Sequence, residues 1–248
     1  MKIIVLVLTF TLSLPVWSAG EIVLLRQNSE PKYMTAFPQQ SGLCDLVYLE
    51  LQKRLAQSNL NVIIDPTLYP VKRLLVILEQ GTGHIFCGAG QNAERNEKFI
   101  YSKSPVYHVN NAVISHTDET YIPRSYSDLA DPQITVGAFF GTSSSKFLAT
   151  HKNLRLNENI TTLDQALKAI EDKQIRYFYY HDLGLKYLVN ETDKPIKLLP
   201  TVFRSVPQWI LFSKKLPETQ LKLVSASFEE IVKDGTLKGI TRAFTIDE

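Results

Sequence analysis

The sequence has little cysteine, no excess of either charge and one long apolar run. Each shortage removes a class of function. Its 248 residues contain two cysteines, Cys44 and Cys87. Neither has metal-ligand spacing, and a zinc site would need further ligands nearby. There is no Gly-rich phosphate loop and no His-Glu-x-x-His. No repeat at solenoid periods and no low-complexity tract is present. The 27 Lys and Arg against 25 Asp and Glu give a formal net charge of +2. These basic residues are spread along the chain, which argues against a phosphate-tracking stripe and so against nucleic acid as a partner. No cofactor and no metal is expected.

The one long apolar run stands at the start. Met1-Lys2 precedes Ile3 to Leu14, broken only by Thr9, Thr11 and Ser13, and Pro15 ends it. Ser18-Ala19-Gly20 then offers small residues for cleavage. This order is that of a secretory signal peptide over residues 1–20. The run is short of the ~20 residues that a membrane span needs. No Cys follows it to carry a lipid anchor. The expected mature chain is soluble and periplasmic, with room for one large or two modest domains. In an oxidising compartment two cysteines suffice for one disulfide, although two buried free thiols remain the alternative.

The mature chain alternates strands and helices. Glu21 to Leu25 reads as a strand and Gln27 to Ser41 as a polar loop. Leu43, Val47, Leu51 and Leu55 recur every four residues, with Leu46 beside them, which marks an amphipathic helix. Asn61 to Ile64 is a strand. Val71 to Gln80 is a helix closed by Gly81, and His84 to Cys87 is a strand. The pattern restarts with a strand at Ile134 to Phe139 and a helix opening at Gly141 to Ser145. Thr162 with Gln165 forms a capping-box start, and Ile175 to Tyr180 is a strand. A last helix runs from about Pro217 to Asp234. Two α/β units in series, joined near Val106–Ser115 and Leu199–Val206, predict two lobes with a cleft between them.

Several runs carry a family resemblance. Ser41-Gly42-Leu43-Cys44-Asp45-Leu46 enters the first helix. Gly88-Ala89-Gly90-Gln91-Asn92-Ala93-Glu94-Arg95 is followed by Tyr101-Ser102 and Pro105-Val106-Tyr107. Asp128-Leu129, Val136-Gly137, Gly141-Thr142, His181-Asp182 and Lys233-Asp234-Gly235-Thr236 come later in order. The chain thereby resembles bacterial extracellular solute-binding proteins of the amino-acid type, the periplasmic components of ABC importers, over nearly all its mature length. Gly90, Phe139, Phe140 and Tyr177 depart from the family's usual residues.

The resemblance implies an α/β, two-lobed, type II periplasmic-binding-protein fold. Each lobe would be a mainly parallel sheet flanked by helices, with two hinge segments. Residues 21–110 with 205–248 would form one lobe and residues 111–204 the other. It implies capture of a small polar ligand, an amino acid or related carboxylate, by a monomer that partners a membrane permease. It also sets Cys44 and Cys87 facing each other, as a disulfide requires.

The site expected is Arg95, Gly88, Gly90, Thr142, Ser143, His181, Asp182, Tyr33 and Tyr69. Arg95 offers a planar fork for a carboxylate. The glycines let backbone approach the ligand. Thr142 and Ser143 open a helix whose free N–H groups suit an anion, or simply cap it. Asp182 suits a ligand ammonium, or a helix N-cap, and His181 lines the same wall. Tyr33, Tyr69, Tyr107 and Trp209 could pack on the ligand or in the core.

Two enzyme readings stand beside this. Ser143-Ser144-Ser145-Lys146 matches Ser-x-x-Lys, without its partner motifs. Periplasmic cyclohexadienyl dehydratases look similar over the same runs, and need a carboxylic acid in the cleft. Glu30 and Glu94 are the acids near it. A stand-alone ligand sensor is the third alternative.

Overall fold

A computed structural model describes residues 20–58 and 60–244. The signal-peptide reading therefore falls outside the described residues, apart from Gly20. The strands among these described residues are β1 (Glu21–Gln27), β2 (Asn61–Tyr69), β3 (Ile85–Ala89), β4 (Phe99–Tyr101), β5 (Tyr107–His116), β6 (Thr135–Phe139), β7 (Arg155–Ile160), β8 (Tyr177–His181), β9 (Ile196–Leu198) and β10 (Arg204–Ser213). The helices are α1 (Leu43–Leu55), α2 (Val71–Gln80), α3 (Ala93–Lys98), α4 (Tyr126–Leu129), α5 (Ser143–Leu148), α6 (Leu163–Glu171), α7 (Asp182–Glu191), α8 (Glu218–Lys233) and α9 (Thr236–Arg242).

Two half-sheets share one seam. In the first, β1 lies parallel to β2 and β3, and β10 runs antiparallel to β3 and β4. In the second, β6 lies parallel to β7 and β8, and β5 runs antiparallel to β8 and β9. The seam is β5 against β10, from Tyr107↔Gln208 to Asn111↔Arg204. These two long strands carry the chain from one lobe to the other. Parallel central strands are covered by helices on both faces, and so read as nearly continuous apolar runs. Ile85–Ala89 and Tyr177–His181 are buried along their whole length, as that packing demands.

The cores are separate. One gathers Ile22, Leu43, Tyr48, Leu74, Phe86, Phe212 and Phe228 around the first half-sheet. The second half-sheet has a cluster on each face, one around Phe178 and Ile170 and one around Tyr179 and Val136. The polar loop from 28 to 42 is tied down from both sides. Arg26, fully buried, donates through Nε to Asp45 Oδ1 at 2.8 Å. Asp45 Oδ2 also accepts from the backbone N–H of Met34 at 2.9 Å and Gly42 at 3.0 Å. A buried ion pair served this fully holds a geometry even where its net energy is small. The carbonyls of Pro31 and Lys32 accept from Leu43 and Cys44 N–H, at 3.1 and 2.9 Å, and so satisfy the open start of α1. The loop therefore cannot swing away from α1, and Lys32 is fixed with it.

Several boundaries differ from the sequence reading. β2 extends to Tyr69, past Pro66, because β1 pairs with it twice around an irregularity between Leu24 and Arg26. β8 begins at Tyr177 and ends at His181. A further helix, α9, follows Gly235, whose φ of 84° turns the chain back onto α1 and α8.

Candidate functional site

The cleft lies between the lobes, beside the β5–β10 seam. It holds about 390 Å³, counting the space open to solvent at its mouth.

The first lobe contributes Lys32, Arg95, Gln27, Gly88 and Gly90. Lys32 is buried to 2% exposure. Its ammonium donates to Gln27 Oε1 and to the carbonyl of Gly88 at 3.2 Å. It also lies 5.2 Å from the centre of the Phe86 ring. Burial, then the Arg95 charge, pulls the Lys32 ammonium down to about 7. Gly88 has a φ of 83°, and a Cβ there would stand 2.6 Å from both Lys32 Cδ and Tyr107 Oη. Any larger residue would push the ammonium out of place.

Arg95 is the third residue of α3, whose cap is Asn92: its side chain accepts from Arg95 N at 2.9 Å. The guanidinium is buried. Nη1 donates to Gly90 O at 2.9 Å, and Nη2 reaches Gly141 O in the other lobe at 3.4 Å. Burial lowers its affinity for a proton, yet an arginine keeps its charge in proteins. A Cβ on Gly90 would meet Ser143 Oγ at 2.4 Å, so the lobes touch here.

The second lobe contributes Thr142, Ser143, Ser144, Tyr180 and His181. The Thr142 hydroxyl donates to Phe139 O and accepts from Ser145 N, at 3.0 and 3.1 Å. It is occupied as the cap of α5, a helix of six residues. Ser144 Oγ accepts from Asn111 Nδ2 at 3.2 Å. Tyr180 Oη meets Ser29 Oγ of the first lobe at 3.0 Å, and burial pushes its phenol up to about 12. His181 caps α7 by accepting from Gly184 N through Nδ1, at 3.0 Å. That bond fixes the proton of the neutral ring on Nε2, which is buried and without a partner. Burial and the nearby Lys32 charge hold the imidazole well below its ordinary value, so it stays neutral.

Arg95, Gly88, Gly90, Thr142, Ser143 and His181 thus come together. Asp182, Tyr33 and Tyr69 do not line this cleft. Asp182 is the first residue of α7, and its carboxylate accepts from Asn110 N at 3.0 Å, Asn110 Nδ2 at 3.3 Å and Leu183 N at 2.8 Å. It faces β5 because a side chain one position past the cap turns away from it. Tyr33 is wholly in the core, bonded to Tyr48 Oη at 3.1 Å and Cys87 O at 2.9 Å. The Tyr69 hydroxyl donates to Asp65 at 2.9 Å. Tyr107 is buried in the first core, and the Trp209 indole nitrogen is buried without a partner. Cys44 and Cys87 are joined by a disulfide, with Cα atoms 5.8 Å apart.

Phe139 packs edge-on against Phe178 and Tyr180, at 4.9 and 4.6 Å between centroids. Phe140 is exposed at the mouth, with Lys72 of the other lobe over its ring at 4.7 Å. Gln27, Lys32, Ser144, Tyr180 and Gln208 line the cleft without having been expected there. Tyr180 was findable, since ligands sit beyond the carboxyl ends of parallel strands. Lys32 carried no such mark.

No protein-family model and no curated protein sequence matches the chain. Solved structures do. An ancestral arginine-binding protein bound to arginine superposes with a TM-score of 0.74 at 18% identity, over 92% of this chain and 100% of its own. An amino acid ABC transporter substrate-binding protein from Streptococcus pneumoniae, bound to L-arginine, gives 0.73 at 18%, over 91% and 94%. An ancestral amino-acid-binding protein described as a precursor of cyclohexadienyl dehydratase gives 0.74 at 17%, over 91% and 95%. Identity this low speaks for architecture, and across all three the architecture is one: the chain has the two-lobed fold of the amino-acid type of extracellular solute-binding protein.

Proposed function

We propose that residues 1–20 export the chain to the periplasm, where it captures a small carboxylate-bearing ligand, an amino acid or related acid, and presents it to the permease of an ABC importer. Residues 21–110 with 205–248 form one lobe, and residues 111–204 the other. The lobes hinge at β5 and β10, and the working form is a monomer.

The observation that carries this is Arg95. Its guanidinium is buried in an interlobe cleft, and its hydrogen-bond partners there are two neutral carbonyls. A buried charge with no counter-charge calls for one from a ligand. Binding without chemistry fits the same residues. The Glu30 carboxylate accepts from Thr35 N at 2.9 Å, and Glu94 pairs with Lys98 and Lys146 on the rim. Neither lines the inner cleft; Glu94 meets Arg95 in a neighbouring pocket at the rim, where Lys98 and Lys146 hold its carboxylate as an ion pair rather than as the free acid a dehydratase needs.

The test is calorimetry on Arg95→Lys. It keeps the charge and loses the fork. Removing a buried, charge-assisted contact costs ~2–5 kcal/mol, a rise in Kd of roughly thirty-fold to several-thousand-fold. The ligand is taken from the purified protein by denaturation and identified by mass spectrometry. A variant that folds normally and binds that ligand as tightly as the parent ends the assignment.

A further inference from the structure

We infer that the ligand is a small dicarboxylate without an ammonium group, gripped at one end by Arg95 and at the other by Lys32, with His181 Nε2 as a neutral donor between the lobes. The inference rests on the carboxylate-capture reading above and narrows it.

Charge in the cleft argues first. Two cationic side chains are buried there, and among the described residues no Asp or Glu lines it. The two acids next in sequence to lining residues are both engaged: Asp182 with Asn110 and Leu183, and Glu94 with Lys98 and Lys146 at the rim. A ligand ammonium would face Lys32 and Arg95 with nothing to offset it. Like charges in a low-dielectric site are strongly disfavoured. A dianion would meet one counter-charge at each end.

Spare donors argue second. An ammonium has three N–H groups; Gln27 Oε1 and Gly88 O take two on Lys32, leaving one. The partners of Lys32 and Arg95 are carbonyls two residues apart, Gly88 and Gly90. The two cations therefore reach the same short stretch of the first-lobe wall, close enough for the Arg95 charge to act on Lys32, and a diacid could meet one with each of its carboxylates. The unpartnered Nε2–H of His181 is a further donor in the same cleft, with no charge of its own.

Proton traffic follows from the same geometry. The groups around Lys32 are Arg95 on α3, His181 at the cap of α7, Tyr33 before α1, Tyr107 on β5 and Tyr180 on β8. The tyrosines stay protonated at neutral pH because burial raises all three, and His181 stays neutral. Lys32 alone titrates near 7. A bound carboxylate raises it again, so binding takes up a proton above pH 7.

The experiment is calorimetry on the mature, ligand-stripped protein with glutarate, succinate, glutamate, aspartate and arginine as probes. Runs at pH 6.5, 7.5 and 8.5 use buffers of different ionisation enthalpy. The amine-free diacids are expected to bind at least tenfold more tightly than their α-amino counterparts. Each should take up close to one proton at pH 8.5, with affinity falling up to tenfold per pH unit above 7. Lys32→Met should lose diacid affinity at least thirty-fold and abolish proton uptake. If glutamate or arginine binds more tightly than the amine-free diacids, or binding moves no proton, the dianion is wrong while carboxylate capture stands. If no acid binds the parent, both readings fall.

Discussion

The two walls of the cleft are built on different principles. The wall from the first lobe is charged and braced. Lys32 and Arg95 reach it from a loop pinned by the Arg26–Asp45 pair and from a helix capped by Asn92. The Cys44–Cys87 bridge runs directly behind Gly88. The wall from the second lobe is uncharged. Its hydroxyls and imidazole belong to helix caps and strand ends, and no disulfide or buried ion pair reinforces it among the described residues. A ligand would find its electrostatic anchor on the first lobe and be covered by neutral donors from the second. The contrast teaches where energy is stored: the braced lobe holds the unneutralised charge, and the facing wall offers only neutral groups.

The largest expected effect tests that storage. Lys32 is held near 7 when its ordinary value is 10.5. Between those values the unfolded chain binds more protons than the native one, so the parent's stability rises as pH rises from 7 toward 10.5. Below 7 the destabilisation is complete, on the order of 5 kcal/mol. Lys32→Met, close in volume, should therefore raise the unliganded protein's stability by up to that amount at pH 6, and by much less at pH 10. Urea unfolding at both pH values reads it. No gain at pH 6 would mean the first lobe holds this charge without strain, and the contrast between the walls would lose its basis.

The bracing itself is the next largest. Cys44 and Cys87 are 43 residues apart, and closing a loop of that length stabilises by about 4 kcal/mol in the chain-entropy account. Cys44→Ala with Cys87→Ala should lose roughly this much. The loss should fall on one side: hydrogen exchange should quicken at Leu24, Phe86 and Leu51 in the first core before Val136 and Phe178 in the second. Equal loosening of both cores would show the lobes to be one cooperative unit.

Much of this was written in local sequence. The helix over Val71–Gln80 with its Gly81 stop, the Thr162–Gln165 capping box and the long helix before Gly235 come from spacing and cap residues, and all stand at those positions. The two-lobed α/β architecture followed from strand–helix alternation and the resemblance. Side chains whose role depends on distant neighbours were not legible. Lys32 sits in a polar loop, as surface lysines do, and its burial is caused by Arg26, Asp45 and Phe86 from other elements. Asp182 carried the preference of aspartate for helix starts, but the cap fell to His181 one residue earlier. That shift of one position turned the carboxylate to β5 and the imidazole into the cleft. Tyr33 and Tyr69 could not be sorted into core or wall from type alone.

The smallest effect is expected at the mouth, and it probes the contrast most finely. Two contacts bridge the lobes there with opposite exposure. Ser29 and Tyr180 meet in a buried hydrogen bond, whereas Glu94 and Lys146 pair with side chains 52% and 38% exposed. An exposed ion pair is worth well under about 1 kcal/mol, because water and salt screen it. Glu94→Gln should therefore weaken ligand binding by less than about fivefold. The difference should vanish in 1 M salt, where the Debye length is about 3 Å. Tyr180→Phe strands Ser29 in a dry contact and should cost more, with little dependence on salt. The informative failure is a loss of tens of fold for Glu94→Gln that persists in high salt. That result would put the carboxylate inside the working cleft. It would supply the acid that a dehydratase requires and the counter-charge that a ligand ammonium requires, and so would overturn the division into a cationic wall and a neutral one.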